Sequence, residues 1–460
     1  MIQKDYLIHK YEMGGHHIVL DVHSGSVHVV DPIAFELLDY LSPPLTENCM
    51  EAALKDLSQK YSRQALLETY HELHELYENG ELFSPDDYER FKDMMIDSPI
   101  KSMCLHIAHD CNLRCSYCFA ATGDFGKGRK LMPLEVGKKA IDFLIAHSGS
   151  RRNLEVDLFG GEPLMNFEVI KGIVAYARGL EKQCGKLFRF TITTNGVLLS
   201  DERINYLNRE MSNIVLSIDG RREVNDHMRK CLDGSGSFDV IAPKYQELVK
   251  RRGQDQYYVR GTFTKHNLDF TQDVLALKNL GFEQISVEPV VSDDANDYAI
   301  HRADLPQVFE EYEKLAQTLL TLKRRKEGVN FFHFMIDLEQ GPCAIKRLRG
   351  CGCGNEYVAV TPDGDIYPCH QFVGMDEWRM GSVMDNTVNT TLKNEFARAN
   401  IYGKERCASC WAKFYCSGGC NANNVQYNHD ITKPYDLSCE LEKKRVECAI
   451  MMKAAELAED

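Results

Sequence analysis

The sequence predicts an α/β protein. Its centre is a parallel sheet curling into a barrel or part of one, with a small strand-and-helix module before it and a cysteine-rich domain after it. Three observations carry this reading. Six short apolar strands alternate with helical stretches between residues 101 and 302. Residues 1–85 alternate in polarity and then turn helical. Nine of the 17 cysteines fall between Cys343 and Cys439, whereas only Cys49 lies in the first hundred residues. At 460 residues the chain is too long for one ordinary core and should form two or three domains.

In HHIVLDVHSGSVHVVD, Ile18, Leu20 and Val22 share one strand face, and Ser24-Gly25 makes a hairpin turn. IAFELLDYL (33–41) and RQALLETYHELHELYE (63–78) place apolar side chains at helical spacing, which completes a module over 1–85. SPDDYERFKDMMIDSPI, charged and bracketed by Ser-Pro pairs, makes 86–100 a linker. The six central strands are KSMCLHIAH, LEVDLFGG, FRFTITTN, NIVLSIDG, YYVRGTFT and QISVEPV. In such sheets the working face lies at the strand C-termini. HDCNLRCSYC, GGEP, TTNG, SIDG and VEPV all come at or just after a strand end, so the fold should gather them round one mouth. Residues 303–342 read as bridging helices, and 343–460 as the cysteine-rich domain.

Hydrophobic residues at 44% and charged residues at 27% describe a globular chain, and no apolar run approaches the roughly 20 residues that cross a bilayer. The start, MIQKDYLIHKYEMGG, lacks the apolar core of a secretory signal, so the expected compartment is a reducing cytoplasm, where thiols bind metal more often than they cross-link. A formal charge of -14 argues against nucleic acid as a partner.

Cys111, Cys115 and Cys118 occupy eight positions at CxxxCxxC spacing. Thiolates suit soft metals, and the choice is between zinc and an iron-sulfur cluster. Structural zinc wants four ligands, commonly from paired Cys-x-x-Cys knuckles, and only one knuckle exists here. Cys104 and His109 are the nearby candidates for a fourth place. Cys104 alternates with His106 and Ala108 on the first strand and should point into a core; His109 would crowd the chelate. Three cysteines around a cubane leave one iron open to a substrate.

CNLRCSYC, with Tyr117 before its last cysteine, resembles the signature of the radical SAM enzymes, and further motifs follow in that family's order. The resemblance implies a partial (β/α)6 TIM-like barrel whose cluster, on Cys111, Cys115 and Cys118, binds and reductively cleaves S-adenosylmethionine (SAM) to a 5'-deoxyadenosyl radical. It also implies SAM contacts from Gly160, Gly161, Glu162 and Pro163 (GGEP), Thr194 and Asn195, Ser217 and Asp219, Arg229 as partner of the SAM carboxylate, and Val287 near the adenine.

CASCWAKFYCSGGC (407–420), preceded by Cys351 and Cys369 and followed by Cys439, resembles the SPASM extension of that family. The resemblance implies two auxiliary 4Fe-4S clusters, three in all with the core cluster. Carried over, Cys407, Cys410, Cys416 and Cys439 complete the outer auxiliary cluster, and Cys420 crosses to the inner one with Cys369 and Cys351. That leaves the inner cluster one ligand short. Cys353 and Cys343 are candidates for the place, and the reading adopted is an iron left open to a substrate thiolate. Zinc ribbons are the alternative for this cysteine field. Cys49, Cys184, Cys231 and Cys448 are expected to be buried or indifferent thiols.

Residues 1–85 resemble the winged-helix RiPP recognition element of enzymes that modify ribosomally made peptides, which adds a leader peptide to a sheet edge. IHKYEMGGHHIVLDVHSGSVHVVD and CHQFVG are similar to the maturases of SCIFF peptides, short cysteine-rich precursors. The resemblance implies thioether formation between a cysteine sulfur and a carbon of another residue, with a flavodoxin or ferredoxin as external electron donor. Two alternatives stay open: an anaerobic sulfatase maturase making formylglycine, and a non-catalytic zinc or peptide-binding scaffold.

Overall fold

The computed structural model describes residues 6–94, 96–338 and 347–457. The N-terminal module is an antiparallel sheet of β1 (Ile8–Met13), β2 (His16–Asp21) and β3 (Val27–Val30), followed by α1 (Pro32–Leu37), α2 (Met50–Leu57) and α3 (Arg63–Glu78). Asp31 starts α1 by accepting the Ala34 N–H, with Pro32 in the first turn. The turn at Ser24-Gly25 joins β2 to β3, and Asp21 accepts the Ser24 N–H and hydroxyl there. Alternation along β2 serves two cores. Val19 packs with Leu37, Leu66 and Tyr70 of the module's own helices. Ile18, Leu20 and Val22, at most 1% exposed, join the core of the rest of the molecule.

The centre consists of β4 (Ser102–His109), α4 (Leu134–His147), β5 (Asn153–Gly160), α5 (Phe167–Cys184), β6 (Leu187–Thr194), α6 (Asp201–Glu210), β7 (Asn213–Ser217), α7 (Phe238–Arg252), β8 (Tyr257–Phe263), α8 (Thr271–Asn279) and β9 (Gln284–Pro289). The six strands are parallel and adjacent in sequence order, as right-handed βαβ crossovers require. Leu154, Val156 and Leu158 of β5 and Phe188, Phe190 and Ile192 of β6 face the helices, each worth about 1.5–3 kcal/mol of burial. Asp157, Phe159, Thr191 and Thr193 alternate with them and face the other side.

Residues 303–338 differ from the expected group of helices, and 339–342 lie outside the described residues. One long helix, α9 (Leu305–Arg324), is followed by a short strand at Asn330–Phe331 beside β9. The C-terminal part comprises β10 (Tyr357–Val360), β11 (Asp365–Tyr367), α10 (Asn421–Asn428) and α11 (Asp436–Leu457). β10 pairs in parallel with β4, Tyr357 opposite Ser102, so this domain extends the central sheet from its first strand instead of standing apart. The stretch 86–100 is no free tether either. Asp86 accepts from Tyr402 and Lys413, and the Ser98 carbonyl accepts from Lys393, because its charges and carbonyls meet donors of the C-terminal domain. Among the described residues no helix is long and apolar enough to cross a membrane.

Candidate active site

Cys111, Cys115 and Cys118 follow β4 and line a cavity of about 140 Å³. Its other walls are Gly160 and Gly161 after β5, Thr194 and Asn195 after β6, Ser217 at the end of β7, and Arg229. The expected convergence on one mouth is therefore present for the strand ends at HDCNLRCSYC, GGEP, TTNG and SIDG, and not for VEPV. The loop is braced locally: Leu113–Cys115 pairs antiparallel with Arg229–Cys231, Arg229 opposite Cys115. The Arg114 guanidinium donates to the Cys111 and Leu113 carbonyls at 2.7 Å. Burial pushes the Cys111 thiol up to about 12 and the Cys115 thiol up to about 11. Cys104 is buried, and His109 bonds His106 instead of joining the thiols.

Gly160 and Gly161 let two strand ends touch. A Cβ at Gly160 would lie 2.2 Å from the Ala108 carbonyl oxygen, and one at Gly161 would lie 2.2 Å from that of Asp110. The Gly161 and Glu162 N–H groups donate to those same carbonyls at 2.8 Å, which holds the start of the cysteine loop against β5. The Glu162 side chain is wholly buried. It accepts from Leu164 N at 3.0 Å, Thr194 Oγ1 at 2.8 Å and Asn195 N at 2.8 Å, tying the end of β5 to that of β6. Burial raises its carboxyl above the usual range, and these donors oppose the rise. Glu162 and Pro163 shape the floor of the site and do not line the cavity.

Asp219 also differs from its expected place. It is absent from the cavity lining and sits at the centre of a buried support. Tyr117 OH donates to its Oδ2 at 2.6 Å, Arg229 donates to Tyr117 OH at 2.7 Å, and Arg229 lies 3.7 Å from its Oδ1. Arg229 thus already has a carboxylate partner in the chain, yet its Nε, on a side chain that lines the cavity, has none. Val287 is fully buried among core residues and does not reach the cavity, because its position on β9 points to the helix side.

The donor set fits the groups the motifs imply. Three thiols lie on one cavity wall, suited to iron, and beside them stand an unpartnered guanidinium nitrogen, the Asn195 amide and the Ser217 hydroxyl, suited to a polar amino-acid moiety.

The opening of the cavity has features that the motifs do not announce. Phe119, half exposed, and Phe159 both line it, and His370 lies 5.4 Å and 5.1 Å from their ring centres. Burial pulls the His370 imidazole down to about 4, which keeps it neutral at neutral pH. Phe119 directly follows Cys118 and Phe159 directly precedes Gly160, so adjacency to a motif is the signal that could have found them.

The C-terminal cysteines fall into two groups. Burial pushes the Cys416 thiol up, and Glu442, Cys439, Cys407 and Cys410 around it add to the rise; burial pushes Cys420 up to about 11, with Cys369 and Cys351 adding to it. Burial pushes the Cys353 thiol well up, and the neighbouring thiols of Cys351 and Cys369 add to the rise. Cys353 is thus a neighbour of the inner set and a candidate for its fourth place beside the open-iron reading; Cys343 lies outside the described residues. Of the isolated cysteines, Cys448 is buried and Cys49, Cys184 and Cys231 are partly buried.

Comparison with known proteins agrees with this architecture. Residues 102–240 match a 4Fe-4S single cluster domain, and residues 351–411 match the SPASM iron-sulfur cluster-binding domain. The cysteine-type anaerobic sulfatase-maturating enzyme of Clostridium perfringens is 22% identical over 347 residues, spanning 70% of this chain and 89% of that enzyme. The PqqA peptide cyclase of Gluconobacter oxydans is 23% identical over 345 residues, spanning 71% and 87%. Among solved structures, native anSMEcpe with bound AdoMet and a peptide superposes with a TM-score of 0.65 at 19% identity, covering 78% of this chain and 99% of that one. Streptococcus suis SuiB bound to S-adenosylmethionine superposes with a TM-score of 0.54 at 17% identity, covering 95% and 99%.

Proposed function

We propose that this chain, built on the radical SAM fold with a C-terminal SPASM domain, is a peptide-modifying enzyme that joins a cysteine sulfur to a carbon of another residue in a cysteine-rich, ribosomally made precursor. Its cofactors are iron-sulfur clusters and S-adenosylmethionine. Cys111, Cys115 and Cys118 hold the core cluster. Arg229 Nε, Asn195, Ser217 and the main chain at Gly160-Gly161 hold SAM beside it. Together the bound cofactors supply one-electron abstraction of a substrate hydrogen. The chain's own contribution is placement: Glu162 and the Tyr117–Asp219–Arg229 support fix the cavity walls, and Phe119 and Phe159 present an apolar mouth that keeps water from the reacting carbon. The two C-terminal thiol groups would hold auxiliary clusters that take up the electron left over when the thiolate closes on the carbon radical, while an external donor supplies the electron that starts the reaction.

The observation that carries this reading is the N-terminal module, docked through Ile18, Leu20 and Val22 and not merely tethered. Its β3 has no partner strand on its outer edge among the described residues, and such an edge accepts an extended leader peptide through backbone bonds. The sulfatase-maturase structure leaves about a fifth of this chain unmatched, a share close to that of module and linker, whereas SuiB, also solved bound to precursor peptide SuiA, covers 93–95%.

The test is incubation of the reduced, reconstituted protein with SAM and a leader-bearing cysteine-rich peptide. A product lighter by two hydrogens, with one thiol no longer alkylatable and with activity lost on leader removal, supports thioether formation. A carbonyl-reactive product that has lost its sulfur indicates formylglycine instead. An unchanged peptide despite 5'-deoxyadenosine release rejects that substrate.

A further inference from the structure

Lys404 lies three residues before Cys407, outside every cysteine motif, and is 1% exposed. Its ammonium donates to the Gly418 carbonyl and to Asn421 Oδ1, each at 2.7 Å. Both acceptors are neutral, so neither compensates the charge of a lysine taken out of water, a cost that a protein seldom carries without an ionic partner. Burial pulls the ammonium below the usual lysine range, and the groups that oppose this electrostatically are Cys407, Cys416, Cys420 and Cys351. Cys407 and Cys416 belong to the outer thiol group, and Cys420 and Cys351 to the inner one. The backbone holds the lysine in this position from both sides. The Cys407 N–H donates to the Lys404 carbonyl at 2.9 Å, and a Cβ at Gly418 would lie 3.2 Å from the lysine nitrogen.

We infer that Lys404 is a positioning charge shared by the two auxiliary clusters, which sets their reduction potentials together and so favours electron exchange between them. This rests on the reading that the two thiol groups hold clusters. A four-thiolate cubane carries a net charge of roughly −2 and gains a further negative charge on reduction, and net charge and hydrogen bonding are what tune such potentials. A buried cation near two such centres stabilises the reduced form of each. It also lowers the repulsion that one reduced cluster imposes on the other.

The experiment is potentiometric titration, followed by electron paramagnetic resonance, of the reconstituted full chain. It is made in a background in which Cys111, Cys115 and Cys118 are replaced by alanine, so that only the auxiliary signals are seen. Iron is counted first. If the parent protein holds no auxiliary iron, the cluster reading itself fails, and Lys404 is not at issue. With iron present, Lys404→Met should lower both potentials by at least a tenfold change in reduction equilibrium, about 59 mV for a one-electron couple. Lys404→Arg should stay near the parent. Asn421→Asp, which sets a carboxylate against the ammonium, should also lower both. Loss of auxiliary iron in Lys404→Met with retention in Lys404→Arg supports the same charge role. Unchanged potentials, an effect confined to one cluster, or equal iron loss in the methionine and arginine variants would overturn it.

Discussion

Lys413, midway between Cys410 and Cys416, reaches out of the C-terminal domain and sets its ammonium 2.7 Å from Asp86, just past the N-terminal module. Lys413 is 1% exposed and Asp86 17%. His23 of the module completes the contact: its Nδ1 lies 2.8 Å from the Ser84 carbonyl, and its Nε2 accepts from Lys413 at 3.0 Å. The stretch just after the leader-binding candidate and the outer thiol loop thus share one buried ion pair, which His23 of the module joins.

Removing one member of that pair strands the other. Lys413→Met should cost about 3–5 kcal/mol of stability in urea unfolding, and the added change Asp86→Asn should recover part of it. Burial opposes the Asp86 charge, but donation from Lys413 and Tyr402 prevails and holds its carboxyl below the usual range. Its stabilisation is therefore present at neutral pH and is lost as pH falls past the ordinary aspartate value toward the lowered one. An acid unfolding midpoint unmoved by Asp86→Asn would contradict this.

Gly160→Ala and Gly161→Ala drive a methyl into the carbonyls that start the cysteine loop. Each should destabilise the site by about 1–3 kcal/mol or more, Gly160 the more severely because its φ is +127°. The readout is iron: core-cluster iron should fall while auxiliary iron is retained.

Arg229→Met removes the support of Tyr117 and the free Nε together. SAM binding by the reconstituted protein should weaken about tenfold to a hundredfold, in keeping with hydrogen bonds to charged groups of about 1.5–3 kcal/mol. Tyr117→Phe, which removes a hydroxyl that does not itself need to meet the ligand, should weaken it less than tenfold. Equal effects would place the tyrosine hydroxyl on SAM.

Cys353 is a buried neighbour of Cys351 and Cys369, whose thiols add to the rise that burial gives its own, and if it is a ligand the inner cluster has no open position. Cys351→Ala and Cys353→Ala should each retain about twelve irons, since either thiol can complete the set, and the double variant should lose about four. Loss of four irons in Cys351→Ala alone would show that Cys353 is no ligand.

Asp157, inside the barrel on β5, has its carboxyl pushed up to about 7 by burial, with Glu155 adding to the rise. Its folded value lies above its unfolded one, so ionisation costs stability progressively as pH rises from about 4 to 7. Asp157→Asn should remove that cost, raising stability on the order of 2–4 kcal/mol at pH 8 and by less at pH 5. Thermal unfolding at the two pH values measures it; an equal gain at both would refute it.

Much of this molecule is readable from local pattern. The period-two strands, the helical stretches between them and the cysteine spacings involve neighbours within a few residues, and parallel βαβ geometry carries each strand end to the same side of the sheet. Cys111, Cys115 and Cys118 were therefore legible as a donor set, and the cavity beside Thr194, Asn195 and Ser217 followed from order alone. The tertiary structure decided what each long side chain meets. Asp219 is the support of Tyr117 and Arg229; Val287 belongs to the helix-side core; β10 continues the central sheet; the stretch after residue 85 is clamped by Lys413 and Lys393. Lys404 and Lys413 carry no motif, because what gives each its role is a partner in a neighbouring loop or in another part of the chain, and spacing along the chain does not encode such distances. Donor type and order are local properties of the sequence, whereas charge pairing and burial arise only when distant segments pack together.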